Sequence, residues 1–132
     1  MPRNAEDVES FLYRLNRNFE GSQDFFLVSS GSGGPPIALR VSDPIILLRC
    51  DIGKIPTDPA RQLALFRLLL EYNAGDLMHA AYGLEADEIV LTAGLELENL
   101  DMNELAAALA DIDVALARHI GPLMDMAKEP QA

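Results

Sequence analysis

Only one cysteine, Cys50, and only two histidines, His79 and His119, occur in the 132 residues. A lone cysteine excludes an intramolecular disulfide, and no paired Cys/His spacing marks a zinc site, so the reading is of a chain from a reducing compartment. No apolar run approaches the ~20 residues of a membrane span, and Met1 to Asp7 lacks the apolar stretch of a signal peptide. The expectation is a cytoplasmic protein without membrane insertion. Basic residues are scarce: 10 Lys+Arg stand against 21 Asp+Glu, a net charge of −11. None falls between Leu68 and Ala117, where eleven acids stand. Binding phosphates requires a basic patch that releases counterions, so nucleic acid is excluded as a partner and anionic membrane is disfavoured.

What the sequence does have is apolar residues, 49% of the total, enough for a core despite the charge. The length supports one domain over 1–132, with a frayed tail from Lys128. Val8, Phe11, Leu12, Leu15 and Phe19 recur at helical spacing, predicting a helix from Asn4 to Glu20 with Asn4 as cap and Gly21 as stop. Phe25 to Ser29 reads as a strand, followed by a Ser/Gly/Pro loop. Ile37 to Val41 and Ile45 to Ile52 alternate around Ser42-Asp43-Pro44, a hairpin. In the latter strand Ile46, Leu48, Cys50 and Ile52 share one face, and Ile45, Leu47, Arg49 and Asp51 the other.

Thr57 or Asp58 before Pro59 starts a second helix, which runs to about Asn73 with Gly75 as a stop. Leu77 to Leu84 and Glu88 to Leu97 form another strand pair. Asp101 caps a last helix, with Glu104 completing a capping box and Gly121-Pro122 ending or kinking it. The fold class is α+β in the order α-β-β-β-α-β-β-α, an antiparallel sheet with helices packed on one face.

Few residues offer chemistry. Ser29 to Gly34 is too weak a phosphate cradle, because it leads into Pro35-Pro36 and a strand instead of a helix N-terminus, and no Lys follows. Asp111 and Asp113 lie two apart on a helix and point away from each other, so with His119 they serve a shared metal ion poorly and read as a solvated face. Neither histidine stands near a recognisable nucleophile motif. Cys50 reads as a buried, inert thiol, and Met102, Met124 and Met126 as a soft binding surface or core filler. No enzyme activity, cofactor or metal is expected.

The helix from Pro59 is more informative. Leu63, Leu65, Phe66, Leu68, Leu69, Leu70 and Tyr72 cover most of its circumference. Lying on a sheet requires only one apolar face, so the second must meet another helix or another subunit, and a homodimer is the favoured reading.

The run Leu69-Leu70-Glu71-Tyr72-Asn73, the strand Ile89-Val90-Leu91 and Leu100-Asp101 opening a long amphipathic helix resemble class I type III secretion chaperones, the Tir chaperone or CesT-like family. The resemblance implies an acidic homodimer that holds the N-terminal segment of a secreted effector partly extended, without nucleotide hydrolysis. It implies dimerisation through Leu65, Phe66, Leu69 and Tyr72 with the strand near Ala81, and client binding by Phe25, Leu39, Ile45 and Leu47. YbjN-like proteins share the fold without being tied to secretion, which leaves a chaperone-fold regulator or adaptor as the alternative.

Overall fold

A computed structural model of the chain describes residues 3–31 and 33–127; the tail expected to fray lies outside them. The described elements are α1 (Ala5–Arg14), β1 (Phe19–Ser22), β2 (Phe25–Val28), β3 (Ile37–Ser42), β4 (Ile45–Lys54), α2 (Pro59–Gly75), β5 (Ala81–Glu85), β6 (Glu88–Glu96) and α3 (Met102–Ala127). The strands form one antiparallel sheet in the order β1-β2-β3-β4-β6-β5. Phe26, Val28, Ile37, Leu39, Ile46, Leu48, Cys50, Ile89 and Leu91 point to one face and are buried with Val8, Phe11 and Leu12 of α1, Leu65 and Leu69 of α2, and the α3 stripe from Leu105 to Leu123. All three helices cover that face. The α+β class and its one-sided packing follow the sequence reading.

The element order gains one strand, because the first helix stops early. Asn16 adopts φ +57°, its amide bonds to Tyr13 O, and the Arg17 amide reaches back to Leu12 O. These two bonds make a Schellman cap, for which Asn is the best residue after Gly. Phe19, in phase with the helical stripe, opens β1 instead. Gly21 then serves the β1–β2 hairpin: at φ +113°, a Cβ there would stand 2.4 Å from Phe25 O.

The remaining helix starts are local and follow the sequence. Asn4 and Asp7 form a capping box, Asp58 accepts from the Arg61 amide with Pro59 at the first turn, and Asp101 and Glu104 exchange a second box. Two other expectations are corrected. Helix α3 does not end at Gly121-Pro122 but continues through Pro122 to Ala127. Pro122 and Arg118, whose carbonyl loses its partner, are both exposed, while Leu123 stays buried. Leu77 to Ala80 form a loop instead of the start of β5, since the amides of Met78, His79 and Ala80 turn onto the Asp111 carboxylate at 3.2, 2.8 and 2.9 Å.

Asp111 and Asp113 are therefore not a solvated face. They do point apart: Asp111 holds the loop before β5, and Asp113 accepts from Arg17 at 2.6 Å and from the Gly31 amide at 2.9 Å. Each carboxylate ties a loop to α3 through a charge-assisted bond. Cys50 is buried, its thiol donating weakly to Pro35 O at 3.6 Å, and burial pushes that thiol up to about 12.

Removing the Asp111 carboxylate strands three amides, so Asp111→Ala is expected to lower unfolding stability by about 1–3 kcal/mol in chemical denaturation. Faster hydrogen exchange at His79 and Ala80 than at β6 amides localises the effect. With Cys50 ionised in only about one molecule in ten thousand at pH 8, iodoacetamide should leave the native chain unlabelled and label it fully in denaturant.

Candidate functional site

Two surfaces are left uncovered by the three helices. The first is the outer face of the sheet. Strand pairing aligns Phe25, Arg40, Leu47 and Gly94 in one row across β2, β3, β4 and β6, with Leu27, Ala38, Arg49 and Thr92 in the next. Ile45 lies beyond Leu47 on β4. Phe25, Ile45 and Leu47 are between 37% and 43% exposed, an apolar patch that no described element crosses. Glu20, Asp51 and Glu96 share this face at its borders, paired with Leu27, Val90 and Ile45.

Leu39 does not belong to the patch. It pairs with Leu48, alternates with Ala38 and Arg40, and is fully buried beneath the helices. The side-chain period of two places it on the inner face. Arg49 donates to Asp51 and Glu85, and these hydrogen bonds hold the guanidinium charged, raising its pKa, with the Asp51 bond the larger cause.

The second surface runs along α2. Only Leu65 and Leu69 of this helix are buried, while Leu63 and Leu70 are 72% and 68% exposed. The helix is apolar on two sides, as its sequence indicates, and the chain's own core uses one. Phe66, Leu69, Leu70, Asn73, Tyr82, Gly83 and Leu84 line a shallow apolar groove of about 160 Å³ between α2 and β5. Of the residues expected at a dimer interface, Leu65 and Leu69 are committed to the core, Phe66 and Tyr72 are half-buried, and Ala81 is exposed on the outer face of β5 opposite Thr92. The helical phase that buries Leu65 and Leu69 turns Leu63, Phe66 and Leu70 outward.

Asn73 has a defined task here. Its amide donates to Tyr82 O at 3.1 Å and accepts from Tyr82 N at 2.7 Å, pairing with the groups of β5 that face away from β6 as a further strand would. The edge is thereby closed at Tyr82. Behind it lies His119 of α3, 2% exposed and stacked on Tyr72 with centroids 3.6 Å apart. Its Nε2 lies 2.8 Å from the Asp76 carboxylate and its Nδ1 2.8 Å from the Tyr82 hydroxyl. An ionised carboxylate only accepts, so Nε2 donates to Asp76, and in the neutral imidazole Nδ1 is then the acceptor for the Tyr82 hydroxyl. Burial raises the Tyr82 pKa, so that hydroxyl keeps its proton.

This Asp–His–Tyr chain joins α2, α3 and β5, and the sequence reading, which looked for a nucleophile beside each histidine, missed it. Nothing in the spacing of Asp76, Tyr82 and His119 announces it. The imidazole is sealed between two tyrosine rings, which suits a structural tie better than contact with a substrate. His79 is exposed and contributes its backbone to Asp111. Met102 and Met126 pack against the core, and Met124 is exposed. Among the described residues no three His, Cys, Asp or Glu side chains are grouped to hold a metal ion, and no helix is long and apolar enough to cross a membrane.

The architecture is similar to three solved structures. A chain of the heterodimeric ExoU–SpcU complex from the type III secretion system of Pseudomonas aeruginosa aligns with a TM-score of 0.68 at 14% identity, over 92% of this chain and 98% of that one. YbjN from E. coli aligns at 0.64 and 16% identity, over 89% and 91%. The Yersinia pestis type III secretion chaperone SycH, solved with a fragment of YscM2, aligns at 0.59 and 15% identity, over 86% and 95%. At these identities the likeness shows the fold alone. No curated protein matches the sequence. The family model CesT_Tir_1, however, matches residues 1–129. On that match, extending over both uncovered surfaces and all three helices, the chain belongs to the CesT_Tir_1 family of Tir-type secretion chaperones.

Proposed function

We propose that this chain is a non-enzymatic chaperone that binds the N-terminal segment of a secreted effector in the cytoplasm and keeps it competent for type III secretion, working as a homodimer. The observation that carries the reading is the uncovered sheet face, where Phe25, Ile45 and Leu47 stand exposed in a chain of the CesT_Tir_1 family. An extended segment lying there gains apolar burial from preformed surface, with no chemistry required. The acids at the borders keep such an adhesive surface soluble and favour clients with basic flanks.

The groove along α2 supports the homodimer. Leu63, Phe66 and Leu70 form a stripe at spacings of three and four, which a second copy can cover with the same stripe across a two-fold axis. Because Asn73 occupies the β5 edge, the contact is made by side chains and not by joining the two sheets. The Asp76–His119–Tyr82 chain fixes the groove floor before the partner arrives, which lowers the ordering cost of association. YbjN, similar over nine-tenths of its length, favours a second reading, a regulator or adaptor with this fold outside secretion.

Light scattering on a gel-filtration column should give about twice 14.4 kDa, and Leu70→Glu, at an exposed position, should give the monomer mass with an unchanged circular dichroism spectrum. A wild-type monomer at micromolar concentration would remove the homodimer. Co-purification from the native host with mass spectrometry should recover one polypeptide through its N-terminal region, and Leu47→Asp should lose it. Recovery of a polypeptide that is not secreted would favour the YbjN-like reading.

A further inference from the structure

The uncovered sheet face carries two arginines, and their surroundings differ. Arg49 is neutralised by Asp51 and Glu85. Arg40 makes no ion pair with any described carboxylate, although acids outnumber bases by 11 in the chain. Its guanidinium instead lies over the Phe25 ring, 5.2 Å from the centroid. The strand register sets Arg40 within the patch, between Phe25 and Leu47 in its own row, with Leu27 and Ala38 in the row on one side and Ser42 and Ile45 in the row on the other.

We propose that the polypeptide bound on this face is an extended segment that presents an Asp or Glu carboxylate to Arg40, with apolar side chains two residues before and after it. The inference rests on the sheet face being the client surface and adds the chemistry that face selects. Three physical points support it. In an extended chain, side chains at i and i+2 lie on one side about 6.7 Å apart, which matches the spacing of the rows flanking Arg40. A guanidinium already steadied over an aromatic ring loses little freedom on forming a forked bond to a carboxylate. Most decisive is the penalty on the alternatives. A wholly apolar segment laid over this patch would desolvate Arg40 without a counter-charge, and a lysine would set like charges together, so both are rejected. A carboxylate between apolar neighbours turns the same desolvation into a strengthened charge-assisted pair.

The test is a selection of displayed random 12-residue segments on the full-length chain, followed by synthesis of the best binder with Glu, Gln or Lys at the selected position. Enrichment of Asp or Glu flanked by apolar residues at i−2 and i+2 is expected, with binding about tenfold weaker for the Gln peptide. Arg40→Glu, at an exposed position that leaves the fold intact by circular dichroism, should reverse the order and prefer the Lys peptide. Equal binding of the three peptides, or an order unchanged by Arg40→Glu, overturns the inference. If Leu47→Asp nevertheless abolishes binding, the sheet face stands as the client surface without the carboxylate rule. If no segment binds, or if Leu47→Asp is without effect, that surface assignment and the inference both fail. If Arg40→Glu changes the oligomeric mass, the face belongs to a second copy and the inference is likewise overturned.

Discussion

Helix α3 lies against the inner face of the sheet over β4 and β6, and that seating organises the remaining contacts. Leu105, Ala108, Leu109, Ile112, Ala115, Leu116 and Leu123 bury one continuous stripe on it. The flanks of the same helix then reach sideways: Asp113 to Arg17 and Gly31, Asp111 to the loop before β5, and His119 to β5 and the end of α2. Because a helix fixes the angles between its side chains, one buried stripe determines where all three polar arms emerge. Displacing α3 would therefore release both ends of the sheet and the C-terminal end of α2 together.

Placing all three helices on one side leaves the opposite side of the sheet without a cover among the described residues. Burial of apolar surface contributes about 25 cal/mol per Å², so the exposed Phe25, Ile45 and Leu47 represent stabilisation that folding of one chain does not collect. The same holds for Leu63 and Leu70 on α2. A monomer carrying two such patches is exposed to nonspecific association, and the net charge of −11 opposes it by repulsion between copies. The acids between Leu68 and Ala117 thus divide into two kinds. Asp76, Glu85, Asp101, Glu104, Asp111 and Asp113 have named bonds inside the fold, whereas exposed ones such as Glu96 and Glu98 remain as solvating charge.

How far the sequence could be read follows from the range of each interaction. Caps join residues three apart, and Asn4, Asp58-Pro59 and Asp101/Glu104 were all legible as helix starts. Alternation is also local, and it separated Ile46, Leu48 and Cys50 from Ile45, Leu47 and Arg49 correctly. Its phase on a neighbouring strand is not local: only the β3–β4 register shows that Leu39 pairs with Leu48 and goes inward. Helical phase posed the same difficulty on α2, where apolar residues on every side cannot reveal that Leu65 and Leu69 face the core. Phe19 was in step with the first helix until the left-handed Asn16 broke the register. The carboxylates of Asp111 and Asp113 hold backbone amides from distant loops, and a backbone amide carries no residue-type signal, so the sequence favoured a solvated face.

Charge acts at two ranges in this molecule, and the difference bears on what the sheet face can distinguish. Exposed carboxylates at its borders act through water and are screened beyond about 8–10 Å, so they influence how fast a basic-flanked chain arrives more than how tightly it is held. Arg40 acts at contact, within a patch that loses its water once covered, where pairing decides whether the guanidinium is an asset or a penalty. The two demands fall on different parts of one bound segment and do not conflict: basic flanks over the acidic border, and a carboxylate between apolar side chains at the centre. A segment meeting only one of them would either approach quickly and leave, or fit well and seldom arrive. Specificity on such a face can arise in this way, from an unpaired guanidinium set among hydrophobic neighbours.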